Sequence, residues 1–382
     1  MGKKVLLLSV VLGFFLLMAL FLLKAKEEMV DFEVNYKAGE RIRMGETLYR
    51  AEDEHYQFKY SPFSAIFYIP LSYLPLPWAK GIWYFLILCS LGLIIFLAER
   101  VLNPVRETSS FFIFLSVLVL FRYFLRELHL GQINALLTFL LTGMIWFIQE
   151  ENSPSLSKDV PAGLLWGLAT ALKPYAVIFI PYFILRKKWL VLGTGLLFIA
   201  VSLCLPSLYY GFSGNITVHK EWISSLSRST PILLDSQDNI SLMAFFMKWT
   251  GDLKLTSVLY IISTAVLAVI ILLVISRGKR MSRPFPLEAS FLLVVIPLLS
   301  PLGWDYTLFS SILGVAIVLK YFSRFPGALR IVLLVNFLII ALSLYDILGK
   351  NFYARFMSWS IITINFLILA GSLVYLRMKD TC

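Results

Sequence analysis

The chain has 382 residues, of which 59% are hydrophobic and only 15% are charged, and its mean hydropathy is +0.81. A soluble domain is about half apolar and about a quarter charged, so this composition excludes an ordinary soluble protein and indicates one that spans a membrane several times. The net charge of +11 would favour nucleic-acid binding in a soluble chain. Here the basic residues cluster at the ends of apolar segments, where they act as topology signals and headgroup anchors. We therefore expect a single integral domain over residues 1–382, embedded in the lipid bilayer, with no nucleic-acid partner.

Side chains that bind metals are scattered along the chain. The three cysteines and three histidines are far apart, unlike the close spacing of a zinc site or a disulfide framework. They are Cys89, Cys204, Cys382, His55, His129 and His219. The sequence also contains no glycine-rich phosphate loop, nucleophile motif or nucleotide-binding motif. We expect no metal and no cofactor.

The first hundred residues alternate between apolar and polar segments. Residues 5–23 are an apolar run of spanning length behind two lysines, which predicts a retained first helix with its N-terminus in the cytoplasm. A mixed-charge outer loop follows at residues 24–60. Residues 61–77 are apolar but contain four prolines, which favours a re-entrant or interfacial hairpin over a straight spanning helix. Residues 79–98 are predicted to cross.

The middle of the chain has polar residues at the ends or centres of its apolar segments. Two crossings, at residues 109–121 and 135–148, are predicted to meet at a polar cluster at residues 122–134. Residues 161–185 are about one span long, but Lys173 and Pro174 lie at their centre. A lysine in mid-membrane is costly and a proline interrupts a helix, so we predict two shorter helices that meet at the outer side.

Apolar runs define the remaining crossings. They are residues 190–205, 256–275, 287–300, 306–320, 328–346 and 357–376. A second long outer loop is predicted at residues 211–254; it and the first loop are the polar stretches long enough to hold folded elements. Short basic clusters fall on one side, which the positive-inside rule assigns to the cytoplasm. The sequence thus predicts an all-α polytopic membrane protein with about twelve transmembrane segments and both termini in the cytoplasm.

This topology gathers polar residues on the outer face and predicts a site at the membrane surface. Ionisable groups inside a membrane are expensive, so Lys173, Arg122 and Arg126 are functional candidates. For the arginines, snorkelling anchors are an equally good interpretation. For Lys173 a functional role is favoured, because the break at Pro174 leaves backbone groups unpaired and a cation there suits a phosphate. A phosphate at the membrane surface indicates a lipid phosphate.

Acidic residues follow the first apolar run. Asp31 lies close to Glu27, Glu28 and Glu33, and acids just outside a membrane helix are usually solvated. Spacing alone therefore does not single out Asp31.

Several short motifs occur in a recognisable order along the chain. They are DFEVNYKAG at residues 31–39, YSPFSA at 60–65, GQIN at 131–134, ATALKP at 169–174, DNISL at 238–242 and SPLGW at 300–304. This order, which covers most of the chain up to about residue 310, resembles glycosyltransferase family 87. The joint order is far more specific than any single motif.

The resemblance implies a C-type glycosyltransferase fold with a catalytic first outer loop. It also implies an inverting transferase at the plasma membrane. Such an enzyme moves a hexose, with mannose the first candidate, from a polyprenyl phosphate to a lipid-linked or envelope glycan acceptor on the extracytoplasmic face. Asp31 matches the family's acid and would be the general base. Lys173, with Arg122 or Arg126, would neutralise the leaving phosphate, which makes a metal unnecessary.

Further substrate-binding candidates come from the same motifs and from the first loop. Tyr36, Tyr49 and Tyr60 could stack on sugar or line the acceptor groove, although packing is the commoner role of such residues. The other candidates are His129, Gln132, Asn134, Asp238, Asn239, Trp304, Asp305 and Tyr306. Tyr306 stands where the family often has a histidine, and a tyrosine can donate a hydrogen bond to phosphate but is not a cation at neutral pH.

Two other function classes fit a helical bundle with cationic and aromatic groups. A transporter or flippase of lipid-linked sugars would place its site near the bilayer midplane between repeated halves, and the sequence shows no internal repeat. A lipid-carrier-dependent glycan polymerase or ligase would use similar groups with a lipid-diphosphate donor.

Overall fold

The fold is given by a computed structural model, and the structure describes residues 27–102, 110–148, 155–277 and 283–379 together with positions 13, 16–19, 21, 23 and 24. Much of the predicted first crossing at residues 5–23, the N-terminus with its predicted side, and Cys382 lie outside the described residues. Within them the chain is helical, and β-structure is limited to one isolated bridge between Asn239 and Trp304. The predicted all-α class is confirmed.

The described helices are numbered in chain order. The first part of the chain forms α1 Val30–Arg43, α2 Pro62–Ser72, α3 Leu76–Leu102, α4 Phe111–Leu130, α5 Asn134–Ile148, α6 Leu156–Leu172, α7 Ile180–Leu185 and α8 Trp189–Cys204. The second part forms α9 Ser207–Ile232, α10 Leu242–Thr250, α11 Leu253–Ser276, α12 Phe285–Leu299, α13 Ile312–Lys320, α14 Gly327–Leu342, α15 Tyr345–Leu348, α16 Lys350–Ser358 and α17 Ile361–Lys379. Short 3-10 helices lie at Ala51–Tyr56, Pro174–Phe179, Asp305–Ser311 and Phe322–Arg324.

Several of these helices have the length and composition of membrane segments. Among the described residues, α3, α11 and α17 are long and apolar enough to cross a membrane alone, and α8 with α9 is a fourth candidate that bends by 91°. Shorter apolar helices include α2, α5, α12 and α14. These features are consistent with the membrane protein that composition predicts. The count of about twelve crossings stays a prediction, because the shorter helices fall below the roughly 20 residues of a single span.

The two long polar stretches are largely helical. In the first, α1 presents a buried stripe of Phe32, Tyr36, Gly39 and Ile42, three or four residues apart, and packs on α2. The second polar stretch contains α9, which packs on the first stretch. Tyr210 Oη donates to the carbonyl oxygen of Glu46 at 2.6 Å, and Trp222 Nε1 donates to the carbonyl oxygen of Lys59 at 3.0 Å. The two predicted outer loops therefore form one folded layer.

Prolines shorten or break helices at residues 61–77 and at Lys173, the two places where the sequence predicted it. Residues 61–77 contain only the 11-residue α2, which Ser61 caps and which is too short to span alone, before the chain turns into α3. The break at Lys173 is confirmed: α6 ends at Leu172, and Lys173 is extended with φ −140° and ψ 121°, as expected for a residue before proline.

The predicted junction inside the polar cluster 122–134 is found at residues 131–133. There α4 ends at Leu130 and α5 begins at Asn134, so most of the cluster belongs to the last turns of α4. The helix continues because polar side chains of its last turns find partners inside the protein, as described below. Gly131 has φ 68° and ψ 39°, a left-handed conformation that commonly ends a helix.

Candidate active site

Asp31 lies in the first turn of α1 and is half-buried. Its Oδ2 accepts a hydrogen bond from Gln132 Nε2 at 2.5 Å, whereas Oδ1 accepts none from the residues that the structure describes. Burial raises the pKa of the Asp31 carboxyl above its ordinary value. The hydrogen bond from Gln132 and nearby positive charges, Lys173 first among them, act in the opposite direction. One carboxylate oxygen is thus held in place and the other is left available.

The start of α1 is fixed to the end of α4. The Met29 amide donates to the carbonyl oxygen of His129 at 3.0 Å, and Trp83 Nε1 donates to the carbonyl oxygen of Gly131 at 2.9 Å. Phe32 is fully buried against Gly131, where a Cβ atom would lie 2.6 Å from the Phe32 Cβ. The residue after Asp31 therefore packs directly on the residue before Gln132.

Gly131→Ala should displace Asp31 from Gln132. The substitution combines a left-handed backbone with a collision against Phe32, and we expect it to lower the free energy of unfolding by about 1–3 kcal/mol and to reduce activity. Gly251→Ala is the matched control, because Gly251 also ends a helix with positive φ but a Cβ there meets nothing within 4 Å. Thermal unfolding in detergent and transfer assays compare the two. Equal effects of both variants would contradict a positioning role for Gly131.

Gln132 connects Asp31 to the aromatic part of the site. Its Nε2 donates to Asp31 and also to Tyr306 Oη at 3.1 Å. Its Oε1 accepts from Tyr60 Oη at 3.0 Å and from Asn134 Nδ2 at 3.5 Å. All of the hydrogen-bonding positions of the amide are therefore used, which fixes its orientation.

Lys173 is the buried cation of this network and is 3% exposed. Its Nζ donates to Asn134 Oδ1 at 2.9 Å, and Asn134 Nδ2 donates to Glu127 Oε2 at 2.9 Å, so the asparagine bridges a lysine and a fully buried acid. The ammonium lies 4.8 Å from the ring centroid of Tyr60 and 6.0 Å from that of Tyr306. Such distances permit cation–π attraction. The lysine is thus held without a directly bonded acid.

The two arginines are paired with aspartates. Arg122 Nη2 and Arg126 Nη1 both donate to Asp305 Oδ2, at 2.9 and 2.8 Å, and Arg126 Nη2 donates to Asp238 Oδ2 at 2.5 Å. Arg122 also donates to the Ser343 carbonyl oxygen at 2.5 Å. A buried arginine with these partners is unlike a snorkelling anchor. These contacts tie α4 to the segments that carry Asp238 and Asp305.

Asn239 organises the segment that leads to Tyr306. Its Oδ1 accepts from the amides of Ser241 and Gly303, both at 3.1 Å, and its Nδ2 donates to the Pro301 carbonyl oxygen at 3.1 Å. The Trp304 and Tyr306 rings are nearly parallel, with centroids 6.5 Å apart. The structure gives Asn239 a scaffolding position.

The structure brings some of the sequence candidates together and leaves others apart. The residues around Asp31 are Tyr60, Gln132, Asn134, Lys173 and Tyr306, with the arginine–aspartate cluster beside them. Tyr36 Oη donates to the Leu74 carbonyl oxygen at 2.8 Å and Tyr49 Oη to that of Tyr60 at 2.7 Å, which indicates packing roles. His129 Nδ1 lies 2.5 Å from Glu28 Oε2.

Sequence reasoning missed three residues of the site. Glu127 is the buried acid bridged to Lys173, and its signal was its place in the polar cluster beside Arg126. Tyr175 places its ring centroid 5.4 Å from the Lys173 ammonium. Lys59 is half-buried, and burial lowers the pKa of its ammonium below the ordinary value, although the nearby charge of Asp31 acts in the opposite direction. Lys59 and Tyr175 directly neighbour residues that the motifs contain. Only the fold shows that Tyr175 lies beside Lys173 and that Lys59 is near enough to Asp31 for their charges to interact.

The immediate surroundings of Lys173 include a small cavity of about 30 Å³. Apolar side chains of α5, α6 and α12 form much of its lining, and Asn134, Thr138, Thr307 and Ser310 add polar groups. Within the part of the chain that the structure describes, no group of three or more histidine, cysteine, aspartate or glutamate side chains could hold a metal ion. The site therefore offers a carboxylate, an ammonium and amide groups for chemistry.

A family model for glycosyltransferase family 87 matches residues 58–301, more than half of the chain. The matched segment contains Gln132, Lys173 and both arginines, while Asp31 and Tyr306 lie outside it. No match is found among curated proteins or among solved structures. The family implies glycosyl transfer, and the helical fold with several apolar segments agrees with a membrane enzyme. The chain belongs to glycosyltransferase family 87.

Proposed function

We propose that the protein is an inverting glycosyltransferase that moves a hexose, with mannose the first candidate, from a polyprenyl phosphate to a lipid-linked or envelope glycan acceptor. The observation that carries the proposal is the position of Asp31: one carboxylate oxygen is bound by Gln132, and that amide belongs to the same network as the buried Lys173. A base and a cation in one network fit the transfer of a sugar from a phosphate.

In the proposed reaction, Asp31 Oδ1 takes the proton of the acceptor hydroxyl as its oxygen attacks the anomeric carbon. The bond between that carbon and the phosphate oxygen breaks on the opposite face, and the electron pair leaves with the polyprenyl phosphate. Lys173 stabilises the negative charge that develops on the leaving phosphate. Arg122 and Arg126 are second candidates for this role, although Asp238 and Asp305 already pair with them.

The proposed architecture is a C-type fold with about twelve crossings, both termini in the cytoplasm and the site on the outer face of the plasma membrane. Its support is that the predicted outer segments meet. Gln132 donates to both Asp31 of α1 and Tyr306, and side chains of α9 donate to the carbonyl oxygens of Glu46 and Lys59 in the segment that follows α1. Because the lysine supplies the positive charge at the phosphate, the proposal includes no metal and no cofactor.

The test is a transfer assay with the purified protein. Radiolabelled polyprenyl-phosphate mannose and polyprenyl-phosphate glucose are supplied in turn with a membrane lipid extract as acceptor, with and without EDTA. We expect label in a new glycolipid or glycan from one of the donors, with the opposite anomeric configuration and no loss in EDTA. Label that only crosses a vesicle bilayer would indicate a transporter. Transfer only from a lipid diphosphate would indicate a polymerase or ligase.

A further inference from the structure

A groove of about 290 Å³ runs beside α1, separate from the cavity at Lys173. One wall is a single face of α1, formed by residues that are three or four positions apart and so lie one helical turn from each other. The opposite wall belongs to the 3-10 helix Ala51–Tyr56. The polar and aromatic side chains of the lining are Glu33, Lys37, Arg41, Asp53 and Tyr56.

The charges of this groove are mixed. Glu33 and Asp53 carry two formal negative charges, and Lys37 and Arg41 carry two positive ones. Lys80, which pairs with Glu33, adds a third positive charge. A groove that presents both signs of charge side by side offers hydrogen-bond acceptors and donors together, which suits a hydroxyl-rich ligand, whereas a phosphate group would also meet the two carboxylates. Such a groove also disfavours a prenyl chain, because burying charged groups against a hydrocarbon is costly.

Ion pairs hold the acids of the groove in fixed positions. Arg41 donates to both oxygens of Asp53, with Nη2 to Oδ1 at 2.7 Å, and Lys80 Nζ lies 2.6 Å from Glu33 Oε1. Each carboxylate oxygen has two acceptor positions, so Asp53 keeps one on each oxygen and Glu33 keeps Oε2 for hydroxyl donors. Both acids also remain partly exposed, with 31% for Glu33 and 21% for Asp53. The groove therefore presents preoriented acceptors for a ligand with several hydroxyl groups.

An exposed aromatic ring lies at the same groove. Tyr56 is 56% exposed, and an aromatic ring of this kind offers a flat apolar surface beside polar groups. Proteins commonly recognise saccharides with carboxylates, which accept hydrogen bonds from the hydroxyl groups, and with an aromatic ring, which packs against the C–H face of a pyranose. The volume lies at the lower end of ligand pockets, which suits a small ring system.

The groove begins beside the proposed base. Val30 lines it and is the residue before Asp31 in α1. We propose that this groove is a saccharide subsite for the acceptor, which holds a neutral sugar ring of the acceptor while its reacting hydroxyl reaches Asp31. The assignment rests on the proposed function, since it gives the acceptor side of that reaction, but its test does not need transfer.

Saturation-transfer NMR tests the groove with methyl α-mannopyranoside and methyl β-galactopyranoside as probes. The full chain is held in a detergent that contains no sugar, and glycerol 3-phosphate serves as an anionic competitor. We expect signals on the ring protons of at least one glycoside. In Lys37→Ala and in Tyr56→Ala the affinity for that glycoside should fall by about tenfold. Lys37→Ala loses one hydrogen bond to a charged group, and Tyr56→Ala loses a ring contact of similar strength. Lys254→Ala, an exposed lysine on α11, should leave it unchanged.

Several outcomes would overturn the assignment. Equal signals in the wild type and in Lys37→Ala would overturn it, and because Lys37 is exposed, this variant is expected to fold normally. A signal that disappears in Gln132→Ala but persists in both groove variants would assign the glycoside to the site of the donor sugar. Competition by glycerol 3-phosphate would indicate a lipid headgroup. Failure of the proposed function is recognised separately, as absence of sugar transfer from every polyprenyl-phosphate donor.

Discussion

Asp31→Asn should lower kcat for sugar transfer by about 10²–10⁴-fold, the range that a positioned general base contributes. Asparagine keeps the size of the side chain and can still accept the hydrogen bond from Gln132, but it cannot take the proton of the acceptor hydroxyl. The KM for the donor should change little, because the variant leaves Lys173 in place. Initial rates with a radiolabelled polyprenyl-phosphate sugar measure both constants.

The matched control is Glu27→Gln, which removes the charge of an exposed acid a few residues earlier and should leave the rate unchanged. The pH profile gives a second readout. Burial raises the pKa of Asp31, so the acid limb of kcat/KM should lie above the pH of an ordinary aspartate and activity should fall as the carboxylate is protonated. The charge of Lys59 lowers this pKa, so Lys59→Gln should move the acid limb to higher pH. A folded Asp31→Asn variant with wild-type transfer would refute the assignment.

Lys173→Met should lower transfer by about 10²–10³-fold, as removal of one group that stabilises developing negative charge does. Methionine fills similar space, but it leaves Asn134 Oδ1 without its donor and Glu127 without a nearby cation. We therefore expect a simultaneous loss of about 1–3 kcal/mol in the free energy of unfolding. Thermal unfolding in detergent and the transfer assay separate the two effects.

The double variant Lys173→Met with Glu127→Gln shows which effect limits activity. Removing the buried acid as well should recover much of the stability, because no unpaired charge remains inside. It should not recover transfer if the ammonium acts on the leaving phosphate. Recovery of both properties together would mean that Lys173 only balances the charge of Glu127.

Elements with a strong one-dimensional signal were predictable from the sequence. The crossings at residues 79–98 and 256–275 coincide with α3 and α11, because long apolar runs indicate spanning helices in any context. The break at Lys173 followed from the local sterics of Pro174. By contrast, α1 and α9 are polar enough to resemble loops, and their helical structure depends on a partner: α1 buries its stripe on α2.

The site was predictable only in part, for a related reason. Motifs singled out Gln132, Asn134 and Lys173, and the fold brings these residues together. The sequence could not show that Asp238 and Asp305 pair with the arginines, because those contacts join positions more than a hundred residues apart. Glu127 was hidden for a similar reason, since its charge partner, Lys173, lies in the extended break between α6 and the next 3-10 helix.

The hydrogen bonds between Lys173 and Asp31 all run in one direction. The ammonium donates to Asn134 at 2.9 Å, Asn134 donates to Gln132 at 3.5 Å, and Gln132 donates to the carboxylate at 2.5 Å. Two side-chain dipoles are thus aligned head to tail between opposite charges, and each bond polarises the next. This alignment carries the influence of the lysine to a carboxylate with which the structure describes no direct contact. The long central bond is at the limit of hydrogen-bond geometry, so small movements of α5 would change the strength of the base.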